Sequence, residues 1–236
     1  MSNIRLFFPE SLSINFKSRL DKSQSHYLTK VMRIKTGENF SLFNKNGEWL
    51  VKIYQISKGF VEFSVLEKLR QKENQKEIWL AFAPIKSNYF NFMIQKSTEL
   101  GVTKFIPVIT ERTVVRKINS ERLNKILIES CEQSNRLAVP ILEKTISLTN
   151  FLNINKDLNI IFGDLNSNNK NLDLNKVDIK KPICILIGPE GDFSEKEREE
   201  IYNLKNIQYL KINQNILRAE TAAISALSIV SYIFSL

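Results

Sequence analysis

Residues 183–187, Ile-Cys-Ile-Leu-Ile, form an unbroken apolar run that passes directly into Gly188-Pro189-Glu190-Gly191-Asp192-Phe193 and then Ser194-Glu195-Lys196-Glu197. A run that does not alternate fits a strand covered on both faces, which implies a buried sheet in an α/β fold. Ser194 and Glu197 have capping-box spacing, in which each side chain satisfies a backbone amide of the other at a helix start. The turn between strand and helix is thus fixed at both ends. Glycine occurs only at 37, 47, 59, 101, 163, 188 and 191, so this one turn holds the only two closer than ten residues apart. Backbone without a Cβ is concentrated at one strand exit, the place where α/β sheets bind ligands. A plain strand-to-helix connection is the alternative. The same spacing excludes Gly-x-Gly-x-x-Gly and Walker patterns, and with them a Rossmann dinucleotide site or a P-loop.

Composition removes further classes. His26 is the single histidine among 236 residues, so a Ser-His-Asp triad can exist only there, and the His/Cys clusters of zinc sites are missing. No metal is expected. Cys131 and Cys184 read as buried small apolar residues of a cytoplasmic protein rather than a disulfide framework. No apolar run reaches the roughly 18 residues of a membrane span, and no signal peptide is evident at the N-terminus. A formal charge of +9 favours a polyanionic partner, with solvated surface charge as the alternative.

Two grammars follow one another along the chain. From 1 to about 70, short alternating segments dominate: a strand at 5–8, a short helix at 23–31 carrying His26, strands at 39–43, 48–55 and 60–66, and an Asn46-Gly47 turn. These predict a small antiparallel barrel. Residues 71–77 read as a linker. From 78 onward strands and helices alternate: a strand at 78–83, a helix at 89–100 stopped by Gly101, and a strand at 105–109. There follow a helix from 120 to near Arg136, a strand at 158–162, an exposed loop at 166–181, a last strand at 209–212 and a final helix. The final helix is apolar round most of its circumference, which suggests a second subunit against it. Basic residues Lys86, Arg112 and Arg116 gather after strand ends. The loops 188–193 and 212–221 are expected side by side if their strands pair. Such a pocket is rich in backbone groups and poor in catalytic side chains, which suits a cofactor that brings its own reactivity.

Gly188-Pro189-Glu190-Gly191, Leu217-Arg218-x-Glu220-Thr221-Ala222, Gln95-Lys96-x-x-Glu99-Leu100-Gly101-Val102 and Glu132-Gln133-x-x-Arg136 together resemble the ribosomal RNA small subunit methyltransferase E family of the SPOUT class. His26-Tyr27-Leu28 through Arg33, with Gly37 and Phe43, is similar to that family's PUA-like barrel. The resemblance implies an N-terminal PUA-like β-barrel (1–70) for RNA binding and a C-terminal trefoil-knotted α/β SPOUT domain (78–236). It also implies a homodimer, S-adenosylmethionine as cofactor, and methylation of N3 of one uridine in small-subunit rRNA, naked or in the assembled subunit. Backbone at Gly163, Ile187, Gly188, Gly191, Leu210, Ile216 and Leu217 is expected at the cofactor, with Glu190 and Thr221 near its methionine end. Arg136 and Arg218 are candidates to hold the uridine or a phosphate; Glu190, Glu220 and Glu132 are candidate proton acceptors. His26, Arg33, Lys86, Arg112, Arg116 and Arg136 are expected at RNA. The chain departs from the family pattern at Asp192 and Asn213, where glycine is usual, and at Asn215, where a basic residue is usual. A non-catalytic RNA-binding or ribosome-assembly protein on the same scaffold is the competing reading.

Overall fold

The computed structural model describes residues 4–72, 76–169, 171–178 and 180–234. Strands β1 (Arg5–Phe7) and β2 (Lys17–Arg19) precede helix α1 (Lys22–His26), then β3 (Asn39–Asn44), β4 (Gly47–Ser57) and β5 (Phe60–Gln71). There follow β6 (Ile78–Phe82), α2 (Ser87–Glu99), β7 (Lys104–Ile109), α3 (Ser120–Ser134), β8 (Ile141–Leu142), β9 (Ile146–Ser147) and α4 (Leu148–Ile154). The chain ends with β10 (Asn159–Gly163), β11 (Ile183–Ile187), α5 (Glu195–Tyr202), β12 (Ile207–Leu210) and α6 (Ala219–Ile233). Contacts divide these elements into two compact units, Met1–Asn74 with Cys131–Val139, and Gln75–Ser130 with Pro140–Leu236. β5 runs on to Gln71, and residues 73–75 of the expected linker lie outside the described residues.

In the first unit the strand order is β1-β3-β4-β5-β2. Val51, Ile53, Val61, Phe63 and Val65 turn inward with Trp49 and Leu42 to make its core, as the alternating pattern requires. The expectation of an antiparallel barrel needs correction, because β1 lies parallel to β3, Arg5 opposite Ser41. Parallel neighbours need a long crossover, and here the connection carries β2 and α1, of which β2 was not expected. The expected helix at 23–31 divides: α1 stops at His26 and Tyr27–Val31 forms a π-helical turn. At Gly47 a Cβ would stand 2.3 Å from the Arg70 carbonyl oxygen, so glycine is needed there for close strand approach.

Buried Arg5 explains why 131–139 groups with the first unit. Its Nε donates to Glu48 Oε1 at 3.0 Å, its Nη1 to the carbonyls of Cys131 and Glu132, and its Nη2 to that of Arg136, each at 3.1 Å. A guanidinium thus donates to carbonyls in the last turn of α3 and just beyond it. Phe7 N–H donates to Glu132 Oε1 at 3.0 Å. Phe43, Cys131 and Leu137 are buried beside these polar contacts.

In the second unit the order is β12-β10-β11-β6-β7-β8, with β9 also on β7, all parallel. All five residues of β11 are buried, as the unbroken apolar run predicts. β6, α2 and β7 form the expected βαβ unit. β8, β9 and α4 were not read from the sequence, and the 166–181 loop contains a short 3₁₀ turn at Leu174–Lys176. The last strand is shifted toward the N-terminus of the expected 209–212. More consequentially, β11 and β12 do not pair; β10 lies between them.

Candidate functional site

The turns after three adjacent strands nevertheless meet at one cleft. Its walls are 163–165 after β10, 187–190 and 192 after β11, and 210–213 with 215–217 after β12, and Ala219 and Ala222 of α6 close it. Inserting β10 between the two expected loops therefore adds a wall instead of separating them. A wider cleft at the opposite ends of β10 and β12 is lined by Thr149, Lys156, Glu200 and Lys205. Ligands of parallel sheets bind at the carboxyl ends of strands, so the first cleft is the candidate site.

Of the residues expected at a cofactor, Gly163, Ile187, Gly188, Glu190, Leu210, Ile216 and Leu217 line this cleft, while Gly191 and Thr221 do not. The Gly191 carbonyl instead accepts from Arg112 Nη1 at 2.9 Å, which ties the loop after β7 to the turn after β11. A Cβ on residue 188 would lie 2.6 Å from Phe193 Cε2, so that glycine is required by the ring packed on it. Phe193 in turn packs edge-on against Phe162, centroids 5.3 Å apart, inside the core.

The 188–193 turn is held from beneath by the predicted cap. Ser194 N–H donates to Glu197 Oε2 at 2.9 Å and Glu197 N–H to Ser194 Oγ at 3.3 Å. Glu197 Oε1 also accepts from Glu111 N–H at 2.8 Å, a link the sequence did not suggest. Asp192 has a left-handed backbone, φ +60°. Asn213, which stands where the family usually has glycine, is not among the positive-φ residues; its side chain accepts from Asn215 N–H at 2.9 Å in an Asx turn. Arg198 Nη1 reaches Asp164 Oδ1 at 2.7 Å and Arg198 Nη2 reaches Asp192. Burial opposes the Arg198 charge, but these hydrogen bonds outweigh it and raise its pKa.

The remaining candidates are dispersed. Glu190 is exposed on the cleft rim. Arg218 stands at the N-cap position of α6 without a side-chain cap bond, its guanidinium 5.2 Å from the Tyr89 ring centre, and hydrogen bonding to the Tyr89 hydroxyl raises its pKa. Glu220 is buried in the first turn of α6. Arg136 and Glu132 belong to the first unit, where Arg136 is 7% exposed and burial lowers its pKa. His26 and Arg33 are exposed in the first unit, Arg33 with φ +56° after the π turn; Lys86, Arg112 and Arg116 are exposed in the second. The sequence reading missed the outer face of β2, β4 and β5. There Lys17 and Lys52 both oppose Ser64, Arg19 opposes Glu62, and Lys17 and Arg19 lie 5.4 and 4.7 Å from the ring centres of Tyr54 and Phe60. Lys17 and Arg19 sit in a stretch with little alternation, so only a basic residue at every second position could have flagged them. Among the described residues no group of three or more His, Cys, Asp or Glu is placed to hold a metal, and no helix is long and apolar enough to cross a membrane.

A profile of the RNA methyltransferase domain matches residues 72–231, and one of the RNA methyltransferase PUA domain matches residues 20–66. The ribosomal RNA small subunit methyltransferase E of Rickettsia conorii is 36% identical over 228 residues, covering 95% of this chain and 93% of that protein. A crystal structure of a ribosomal RNA small subunit methyltransferase E from Neisseria gonorrhoeae bound to S-adenosyl methionine matches with TM-score 0.87 and 29% identity over 97% of each chain. A putative methyltransferase of Legionella pneumophila in complex with the same cofactor matches with TM-score 0.86 and 28% identity, covering 99% of this chain and 98% of that one.

Proposed function

The chain belongs to the ribosomal RNA small subunit methyltransferase E family, and on that premise we propose that it methylates N3 of one uridine in small-subunit rRNA from the cleft described above. It is an rRNA methyltransferase that uses S-adenosylmethionine. The observation that carries the site assignment is the convergence of three strand-end turns on one cleft. The residues there suit the cofactor: Leu210, Leu217 and Ala222 offer apolar surface to an adenine, the turns offer backbone donors and acceptors, and Glu190 and Asp192 offer negative charge to a sulfonium.

S-adenosylmethionine supplies an electrophilic methyl group, so the chain's own task is to align the uridine and remove its imide proton. Glu190, on the cleft rim, is the proposed acceptor of that proton. Arg218, steadied against Tyr89, is proposed to orient the uracil or its phosphate. His26, Arg33, Lys86, Arg112 and Arg116, with Lys17 and Arg19 on the sheet face, are proposed phosphate contacts in the cytoplasm. The trefoil knot and the homodimer are parts of the same proposal. α2 packs on α6, and the pair leaves Tyr89 49%, Phe92 48% and Tyr232 87% exposed, an apolar face suited to a second copy.

Calorimetric titration with S-adenosylmethionine, followed by mass mapping of rRNA from a deletion strain, tests the reading. Micromolar binding and one lost N3-methyluridine are expected. No heat at millimolar cofactor, or an unchanged modification map, would reject it. Sedimentation at micromolar concentration should show a dimer, and a stable monomer there would remove the second copy.

A further inference from the structure

Beneath the cleft, one buried cation joins the turns that form its walls. Arg198 extends from α5 with its side chain 11% exposed, to Asp164, 4% exposed, on one side and Asp192 on the other. Asp164 is the residue directly after β10. Its Oδ2 accepts from the Tyr202 hydroxyl at 2.9 Å, its Oδ1 from Asn166 N–H at 3.0 Å, and its own N–H donates to the Leu210 carbonyl of β12 at 3.1 Å. Asp192 Oδ1 accepts from Phe193 N–H at 2.8 Å and Asp192 N–H donates to the Pro189 carbonyl at 2.9 Å. The ends of β10, β11 and β12 are thereby tied through one network. Asp192 also occupies a backbone conformation that favours glycine. A side chain is tolerated there because Arg198 and Phe193 N–H hold its carboxylate.

Both Asp164 and Asp192 line the cleft, whereas Arg198 does not. The carboxylate oxygens are held by Arg198, the Tyr202 hydroxyl and the N–H groups of Asn166 and Phe193, so what the network adds to the wall is its net charge, two carboxylates against one guanidinium. S-adenosylmethionine and S-adenosylhomocysteine differ by the methyl group and by one positive charge. An excess of one negative charge in the wall stabilises the cation relative to the neutral product.

We propose that Asp164, Asp192 and Arg198 are positioning residues that brace the 188–193 turn and, through their net negative charge, make the cleft favour S-adenosylmethionine over S-adenosylhomocysteine. This rests on the reading of the cleft as the cofactor site.

The test is calorimetric titration of the full-length chain with each of the two ligands for Arg198→Met, Asp192→Gly and the double variant, with thermal unfolding to establish that each is folded. Arg198→Met leaves the carboxylates uncompensated, so the ratio of homocysteine-form to methionine-form Kd should rise roughly three- to tenfold, the scale of one screened unit charge. Asp192→Gly, which suits the left-handed backbone, should lower that ratio by a similar factor, and the double variant should return it near the native value. If Arg198→Met does not fold, Asp192→Gly alone decides, since its ratio must fall. Affinities that change in parallel at constant ratio would overturn the charge selection while leaving the site assignment standing. Folded variants with both affinities unchanged would overturn the site assignment as well.

Discussion

The two sheets of this chain expose function in different ways. In the second unit every pairing is parallel and β11 is buried along its whole length, so this central strand has no free face and specialised groups emerge only where it ends. In the first unit β4 and β5 bury alternate residues and leave Lys52, Tyr54 and Leu66 outside, so side chains on the sheet itself remain available. The stabilising chemistry differs in the same sense. Both units have aliphatic and aromatic cores, but the buried guanidinium of the second unit ties strand ends at the cleft, whereas that of the first gathers 131–139.

Removing that guanidinium is the harshest way to break the comparison. Arg5→Met removes the guanidinium that donates to the carbonyls of Cys131, Glu132 and Arg136 and takes from Glu48 its 3.0 Å partner, leaving the Arg70 contact at 3.3 Å. The expected loss is about 3 kcal/mol, the lower end for breaking a buried charge pair because one partner remains. Chemical denaturation measures it, and a loss below about 1 kcal/mol, typical of surface pairs, would mean that the first unit too depends on apolar packing.

Gly188→Val is expected to act next most strongly. The new Cβ would meet Phe193 at 2.6 Å, and displacing a ring packed on Phe162 should cost about 1–3 kcal/mol, as overpacked cores do. Cofactor affinity should fall with it, because the displaced turn forms a wall of the cleft. Thermal unfolding and titration on one sample would show both losses. Full stability with lost binding would place the glycine's role at the ligand instead of at Phe193.

How much of this was legible in the sequence follows the same division. The buried strand, the cap at Ser194 and Glu197, and the glycine-rich turn are local patterns, and the structure contains each of them. The order β12-β10-β11 is not local, because parallel strands carry no sign of which neighbour they choose. The parallel pairing of β1 with β3 was hidden for the same reason. Arg198 sits among four glutamates in Glu195-Lys196-Glu197-Arg198-Glu199-Glu200, where it reads as part of a solvated helix face. Its contacts with Asp164 and Asp192 come from segments that no local pattern joins to α5. Arg5 stands in a three-residue strand whose partners at 131–136 are far away in sequence, and no periodicity reaches across that span.

A milder probe compares basic residues on the sheet face with those at strand ends. Lys17→Ala and Arg19→Ala should each reduce the dependence of log K on log salt by about 0.7, one phosphate contact to single-stranded RNA. Arg112→Ala should reduce it less, because its guanidinium is engaged with the Gly191 carbonyl, and should weaken cofactor binding a few-fold, the scale of one exposed charged hydrogen bond. Salt-dependent RNA binding separates these. Unchanged slopes for Lys17 and Arg19 would leave them as charges that guard an edge strand.

The gentlest test uses the two thiols, one in each unit. Burial pushes the Cys131 thiol up to about 11, against the opposing pull of the Arg136 and Arg5 charges. Burial pushes Cys184, at the centre of the parallel sheet, to about 12. At pH 8 the reactive thiolate is then about one part in a thousand for Cys131 and one in ten thousand for Cys184. Neither should react appreciably with iodoacetamide in the folded protein on a timescale of minutes, and both should react once denatured. Over hours the order of labelling carries the information, since it reports local opening as well as ionisation. Cys131 lies at the end of a helix held by polar contacts, and releasing Arg5 would expose it without disturbing the sheet of the second unit. Cys184 can be reached only by separating β11 from β6 or β10. Mass-resolved labelling should therefore find Cys131 modified first, and Arg5→Met should accelerate Cys131 alone. If Cys184 were modified first, the parallel sheet would be the weaker of the two cores and the contrast between them would be reversed.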